Sequence, residues 1–503
     1  MKMVKSLLLG SAAGFVAIAG AQAADLPVKA KPVEYVKVCS VYGAGFYYIP
    51  GTDTCLKVGG FVRAEYNFNS QGSHGPNISG REGRNTREDT YAYNTRTRGI
   101  FSFDARSQTE WGTLRSYMRM GFEHETAEAE LGAFGGYRGR RYFDRAFIQF
   151  AGITVGKTQS FFDFYANALN YTTGIVSGSD TGHGINLIAY TAQWGGGFST
   201  TVSLEENTHR RTGIWDASTN PLTNSAFPGV ATPTHGNYAG NRYPDIVANL
   251  RVDQPWGSAQ VMAALHDASA SCFTATCWTG AGVNTDAQDA TGWAAGAGVM
   301  FNLPWAKGDQ FWIQGTWARG AVSYLGFNKN AANDLFAMYA SNGAPGTIGS
   351  IGLGWAFDGI FQTGTPVELT EGFQVNAAIQ HYWTPALRTS VFGSYGQLDF
   401  NTTATALFCT GLATNPPTAG TIGTSPLTVC NPDFAVWQVG SRTIWSPVAN
   451  LDIGVEVLYT HFDQSHAGAW NLGVSGARPA GLYTARDQET WSGVLRFQRN
   501  FWP

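Results

Sequence analysis

The chain has 503 residues, with 33 Lys and Arg against 36 Asp and Glu, and a net charge of −3 this small excludes nucleic acid as the natural partner. Charged residues make up only 14%, well below the ~25% of soluble domains, while Gly (62), Phe (31), Tyr (21) and Trp (16) are plentiful. Beyond the first residues no stretch is apolar over the ~20 positions a spanning helix needs, which leaves a secreted β protein or a membrane barrel.

At the start, Lys2 and Lys5 precede an apolar run from Leu7 to Ala19 and then Ala21-Gln22-Ala23. A charged region, a short apolar region and a small-x-small site predict an export signal over residues 1–23, cleaved after Ala23. Residues 24–56 are expected to form an N-terminal periplasmic segment holding Cys39 and Cys55, and residues 57–503 the main domain. The six cysteines stand as neighbours, Cys39 with Cys55, Cys272 with Cys277 and Cys409 with Cys430. Export favours three local disulfides over metal ligation, and without a CxxC or HxxxH pattern no metal or cofactor is expected.

From Lys57 onward one unit repeats. In 57–68 the apolar residues Val58, Val62, Ala64, Tyr66 and Phe68 alternate with Lys57, Arg63, Glu65 and Asn67; in 451–460 Leu451, Ile453, Val455 and Val457 alternate with Asp452, Gly454 and Glu456. Such a period of two predicts strands with one apolar and one polar face. Sixteen of them are expected, at 57–68, 91–106, 113–124, 141–151, 152–158, 185–193, 198–206, 245–252, 259–267, 291–302, 310–322, 372–383, 387–400, 434–445, 451–462 and 488–501. Their connections alternate between tight turns and eight long loops, 69–90, 125–140, 159–184, 207–244, 268–290, 323–371, 401–433 and 463–487. Short periplasmic turns, long external loops and an even strand count predict an all-β, antiparallel, sixteen-stranded transmembrane barrel. A barrel this wide cannot be filled by side chains, so its polar face lines water and its apolar face meets outer-membrane lipid.

The faces place Arg63, Arg96, Arg98, Arg115, Arg119, Arg145 and Arg496 inward, as a basic band at mid-height. Cations this close need acids nearby. Loop 159–184 has Asp163 and Asp180, no Lys or Arg, and Phe161, Phe162, Phe164, Tyr165 and Tyr171, too apolar for a solvated loop. It is expected to fold into the lumen and hold its two acids across from the arginines; Glu65, Asp104 and Glu123 on the wall are the alternative partners.

The stretch Val38-Cys39-Ser40-Val41-Tyr42-Gly43-Ala44-Gly45-Phe46-Tyr47-Tyr48-Ile49-Pro50-Gly51-Thr52-Asp53-Thr54-Cys55-Leu56-Lys57-Val58-Gly59-Gly60, the run Arg141-Tyr142-Phe143-Asp144-Arg145-Ala146-Phe147-Ile148-Gln149-Phe150 and the ending Arg496-Phe497-Gln498-Arg499-Asn500-Phe501 resemble the alphaproteobacterial general porins. This resemblance, over essentially the whole mature chain, implies a homotrimer, passive diffusion of small hydrophilic solutes and ions, and an inward third loop forming an eyelet. A last strand with Trp491, Leu495, Phe497 and Phe501 in one register is the kind that the outer-membrane assembly machinery reads.

Enzyme signals are weak. Ala151-Gly152-Ile153-Thr154-Val155-Gly156-Lys157-Thr158 lacks the first Gly of a phosphate-binding loop, and His124-Glu125 is followed by Glu128 where a zinc-binding helix needs His. A substrate-specific channel remains the second reading, although inward aromatics are few. A barrel acting as adhesin or receptor is the third.

Overall fold

The computed structural model describes residues 37–71, 75–76, 93–126, 140–179, 184–217, 238–270, 278–279, 283–284, 289–327, 335–340, 342–362, 365–414, 427–472 and 479–501. Sixteen long strands build the wall: β1 Cys55–Phe68, β2 Tyr93–Thr109, β3 Gly112–Glu125, β4 Arg140–Phe150, β5 Ile153–Thr158, β6 Ile185–Gly195, β7 Phe198–Glu205 and β8 Asp245–Gln254. They continue with β9 Gly257–Asp267, β10 Thr291–Asn302, β11 Gln310–Arg319, β12 Glu371–Thr384, β13 Leu387–Asp399, β14 Phe434–Val448, β15 Leu451–Gln464 and β16 Gln488–Asn500. Each pairs antiparallel with the next. β16 pairs with β1, so the ladder closes and no edge is left for lipid to face. No helix among the described residues is long and apolar enough to cross a membrane, which the closed barrel makes unnecessary.

Alternation along the strands sets the two faces. Val58, Val62, Tyr66 and Phe68 of β1 are exposed on the outside, while Glu65 and Asn67 are buried on the inside. At the short-turn end, Trp111, Trp194, Trp256, Trp305, Trp383 and Trp445 all stand exposed, in the turns or in the last few residues of the strands that lead into them. A ring of indoles at that level is the girdle of a membrane interface.

One expected strand ends early. β11 stops at Arg319, and Val322–Leu325 form a 3-10 turn instead, because the Val322 N–H donates to Asp358 Oδ1 (2.7 Å) rather than to a neighbouring strand. Asp358 also accepts from Thr212 N–H (3.0 Å) and from the Tyr238 hydroxyl. This buried carboxylate thereby ties the fourth and sixth loops together at the barrel mouth.

The long loops are themselves folded. In the sixth loop Leu335–Ala340 and Gly349–Trp355 pair with each other, and Gly349–Trp355 then joins Gly481–Ala485 and Ala467–Leu472 of the eighth and Leu427–Val429 of the seventh in one sheet. Helix α1 (Thr402–Thr414) begins where Asn401 Oδ1 accepts from Ala404 N–H (2.8 Å), an N-cap, and Cys409–Cys430 ties its middle to the segment before β14. Trp355, Trp470, Phe408 and Tyr483 form the core of this cap.

His466 sits in that core against Trp355, Phe408 and Trp470, accepts from Asn431 N–H at Nδ1 (3.3 Å), and has no hydrogen bond at Nε2. Burial among apolar rings lowers the imidazole to about 4. The unfolded cap takes up a proton below ~6.5 that the folded cap refuses. Cap stability is therefore full above that value and falls as pH drops toward the folded value, by on the order of 3 kcal/mol. Cleavage of the outer loops by added protease should rise over that window, and His466→Phe should flatten the profile; equal cleavage at both pH values would show that the ring is solvated.

At the opposite end Cys39–Cys55 joins the N-terminal segment to the start of β1, and Thr54 Oγ1 lies 3.0 Å from Ser107 Oγ. Cys272 and Cys277 fall outside the described residues. The run 151–158 is a tight turn, with Ala151 at φ 49°, followed by β5 and by no helix, so its backbone makes no phosphate cradle.

Candidate functional site: the charged lumen wall and the third loop

The seven arginines do share one side of the lumen, on β16 and β1–β4, but the pairing register spreads them into four rungs rather than one band. On the first, Glu65 is paired with Arg96 on one side and Arg496 on the other. Arg96 Nε donates to Oε2 at 2.7 Å and Arg496 Nε to Oε1 at 2.6 Å, so one carboxylate holds two guanidinium groups. On the second, Arg63 faces Arg98, which bonds Glu123 through Nε (2.7 Å), while Arg63 Nε donates to Gln498 Oε1 (2.8 Å).

The third rung depends on a β-bulge. Arg119 pairs with Arg145 and Met120 with Phe143, which leaves Asp144 as the extra residue of β4. A bulge re-aims a side chain. Asp144, which strict alternation places on the lipid side, is buried and lies 3.0 Å from both Arg119 Nε and Arg145 Nη1. On the fourth rung, at the short-turn end, Asp104 receives two bonds from Arg106 (3.0 and 2.8 Å) and two from Arg115 (both 3.0 Å).

The wall thus supplies acids of its own, and the expectation that the third loop does so is corrected for Asp163. Asp163 does not face the arginines: its carboxylate accepts from Arg210 Nη2 of the fourth loop at 2.8 Å, with both side chains buried. Burial alone would lower the Arg210 guanidinium, but Asp163, Tyr324 and Glu205 around it raise it, so it stays charged and the pair is an anchor. The reason is reach: Arg210 also donates to Ser179 O (2.6 Å), and so clips both ends of the third loop to the fourth. Asp180 lies outside the described residues. Sequence reasoning also missed Asp144 as a wall charge; an Asp at a nominally lipid-facing position was the available signal for the bulge.

The third loop crosses the lumen as expected, and wall side chains hold its backbone at each step. Glu205 of β7 accepts from Phe161 N–H (2.9 Å), Asn249 of β8 donates to Phe161 O (2.7 Å), and Gln314 of β11 accepts from Tyr165 N–H (2.9 Å). Farther on, Ser390 of β13 donates to Leu169 O (2.7 Å), Gln374 of β12 to Ile175 O (2.8 Å), and Gln438 of β14 accepts from Val176 N–H (3.1 Å). Glu456 of β15 takes three bonds, from Tyr171 N–H (2.5 Å), Thr172 N–H (2.7 Å) and Thr172 Oγ1 (2.5 Å). The loop aromatics are spent on packing: Phe162 lies edge-on to Tyr324 (4.6 Å) and Phe164 against Trp312 (5.2 Å).

At the tip, the Tyr171 ring lies 3.6 Å from the Arg496 guanidinium and 4.9 Å from that of Arg442, a cation–π seat. Gly454 makes this possible, since a Cβ there would collide with the Tyr171 hydroxyl. Between the foot of the loop and the wall remains a polar cavity of about 420 Å³, bordered by Gln149, Thr154, Thr201, Asn249, Arg251 and Gln260. The loop therefore fills the side of the lumen along β7–β15, while Arg63, Arg106, Arg115, Arg119 and Arg145 keep 16–35% of their side chains exposed on the other.

A closed sixteen-stranded barrel, apolar outside, with a charged inner wall crossed by a folded loop, is the architecture of an outer-membrane porin. The chain belongs to the porin family described as "Porin subfamily", whose model matches residues 25–494; its members are channels, not enzymes. It is similar to porin Omp2b of Brucella suis, 33% identical over 258 residues that cover 51% of this chain and 64% of that one. Omp2b of Brucella canis is 33% identical over 261 residues, with the same shares. The matched part is thus under two thirds of the length of these relatives. In fold the chain is similar to the outer membrane channel DcaP of Acinetobacter baumannii, with a TM-score of 0.53 and 13% identity over 90% of this chain and 99% of that one.

Proposed function

We propose that the protein is a general diffusion channel, through which small hydrophilic solutes and ions cross the outer membrane down their gradients. The observation that carries this reading is the third loop, pinned across the lumen by eight wall strands yet leaving partly exposed guanidinium groups opposite it. Pore radius and charged walls then select what passes. The eyelet is formed by the tip of this loop on one side and by Arg63, Arg96, Arg98, Arg115, Arg119, Arg145 and Arg496 with their acids on the other, Asp163 serving as an anchor.

In this reading residues 1–23 are an export signal removed after Ala23, and a local disulfide joins Cys272 to Cys277. The assembly machinery reads β16, and the barrel works as a homotrimer in outer-membrane lipid. Purified protein added to a planar bilayer should give stepwise, ohmic conductance increments. A protein that inserts without conducting sinks the channel reading in favour of an adhesin or receptor.

A further inference from the structure

Phe61 stands out on the inner wall. It occupies an inward position of β1, where its neighbours Arg63 and Glu65 are charged, and a phenyl ring facing water costs free energy unless something covers it. Two guanidinium groups do so. That of Arg63 lies 4.7 Å from the ring centroid and that of Arg119 5.8 Å. Stacking on a ring face holds a guanidinium flat and leaves its N–H edge pointing outward.

These two arginines differ from their neighbours in what their donors do. Arg96 and Arg98 are only 4% and 7% exposed and spend their donors on Glu65 and Glu123. Arg63 uses Nε alone, on Gln498, and Arg119 meets Asp144 through Nε alone. The terminal nitrogens of both make no hydrogen bond to the described residues, and Arg119 keeps 35% of its side chain exposed. The charge balance around them favours anions as well. Arg63, Arg96, Arg98, Arg106, Arg115, Arg119, Arg145 and Arg496 outnumber Glu65, Asp104, Glu123, Glu125 and Asp144, eight to five, and the third loop brings no free acid among its described residues.

We propose that Arg63 and Arg119, both braced against the Phe61 ring, form an oxyanion site in the lumen wall. It makes the channel prefer anions and briefly retains solutes that carry a carboxylate or a phosphate. Guanidinium edges match the paired oxygens of both groups, which chloride cannot use. This inference rests on the channel reading and deepens it by naming the preferred solute chemistry.

The test uses the full-length protein in planar bilayers. In a potassium chloride gradient at low salt, the reversal potential of the wild type should lie on the anion side. The double variant Arg63→Gln, Arg119→Gln should lower the anion-to-cation permeability ratio roughly threefold, and the difference should shrink in molar salt. Arg251→Gln, on the far side of the lumen and paired with Asp253, should change the ratio much less. Inorganic phosphate and acetate, added separately to chloride, should each reduce wild-type conductance more than the double variant's; reduction by one alone identifies the solute class.

If the double variant does not assemble, Phe61→Leu keeps both charges and removes the brace, so the reversal potential should hold while the oxyanion block weakens. A wild type that conducts with a neutral or cation-side reversal potential, or whose oxyanion block survives both variants, overturns the site and leaves the channel standing. Absence of any conductance overturns the channel reading and the site with it.

Discussion

Deleting residues 165–180 should raise single-channel conductance on the order of twofold and let larger sugars into liposomes faster, because conductance follows the narrowest cross-section. The segment carries Tyr165, Leu169, Tyr171 and Val176, which fill the lumen along β12–β15, and none of the sixteen ladder pairings passes through it. The barrel should therefore still assemble. Gly454→Val repeats the test without a deletion, since a side chain there displaces the Tyr171 hydroxyl and lifts the tip off Arg496. Opening by both changes is expected, with the smaller increase for Gly454→Val. Unchanged conductance in both would place the constriction at another level of the lumen.

How much of this was legible in the sequence follows from which signals are local. Strand number and face came from a period of two, which each strand carries by itself: Leu451, Ile453, Val455 and Val457 against Asp452, Gly454 and Glu456 need no partner to be read. The inward third loop was legible too, because aromatic content without Lys or Arg belongs to the segment alone. Asp144 was misread because one inserted residue inverts every later side of a strand, and a bulge has no period of its own. The partner of Asp163 was unreadable for another reason: Arg210 is one of three arginines in the fourth loop, and only the closed barrel brings it to 2.8 Å. The cap was invisible because strands such as Gly349–Trp355 and Gly481–Ala485 are short and pair between distant loops.

Glu65→Gln should be the most damaging single change in that wall. The carboxylate has no solvent exposure, bonds Arg96 and Arg496 through different oxygens, and lies 3.7 Å from Arg63. An amide of the same shape fills the space but accepts through one atom only, so one guanidinium faces an N–H group and the buried cations repel across it. Removing one member of a buried ion pair costs roughly 3–5 kcal/mol, mostly from the charge left behind. The expected readout is a lower temperature for loss of the folded, detergent-resistant barrel. Adding Arg96→Gln to Glu65→Gln should recover much of that loss, because the uncompensated charge goes with it, whereas Arg96→Gln alone leaves Glu65 with Arg496 and costs less. That ordering separates electrostatic compensation from packing: if the double variant is no more stable than Glu65→Gln, the carboxylate acts by filling space and the rungs of the wall are not coupled through charge.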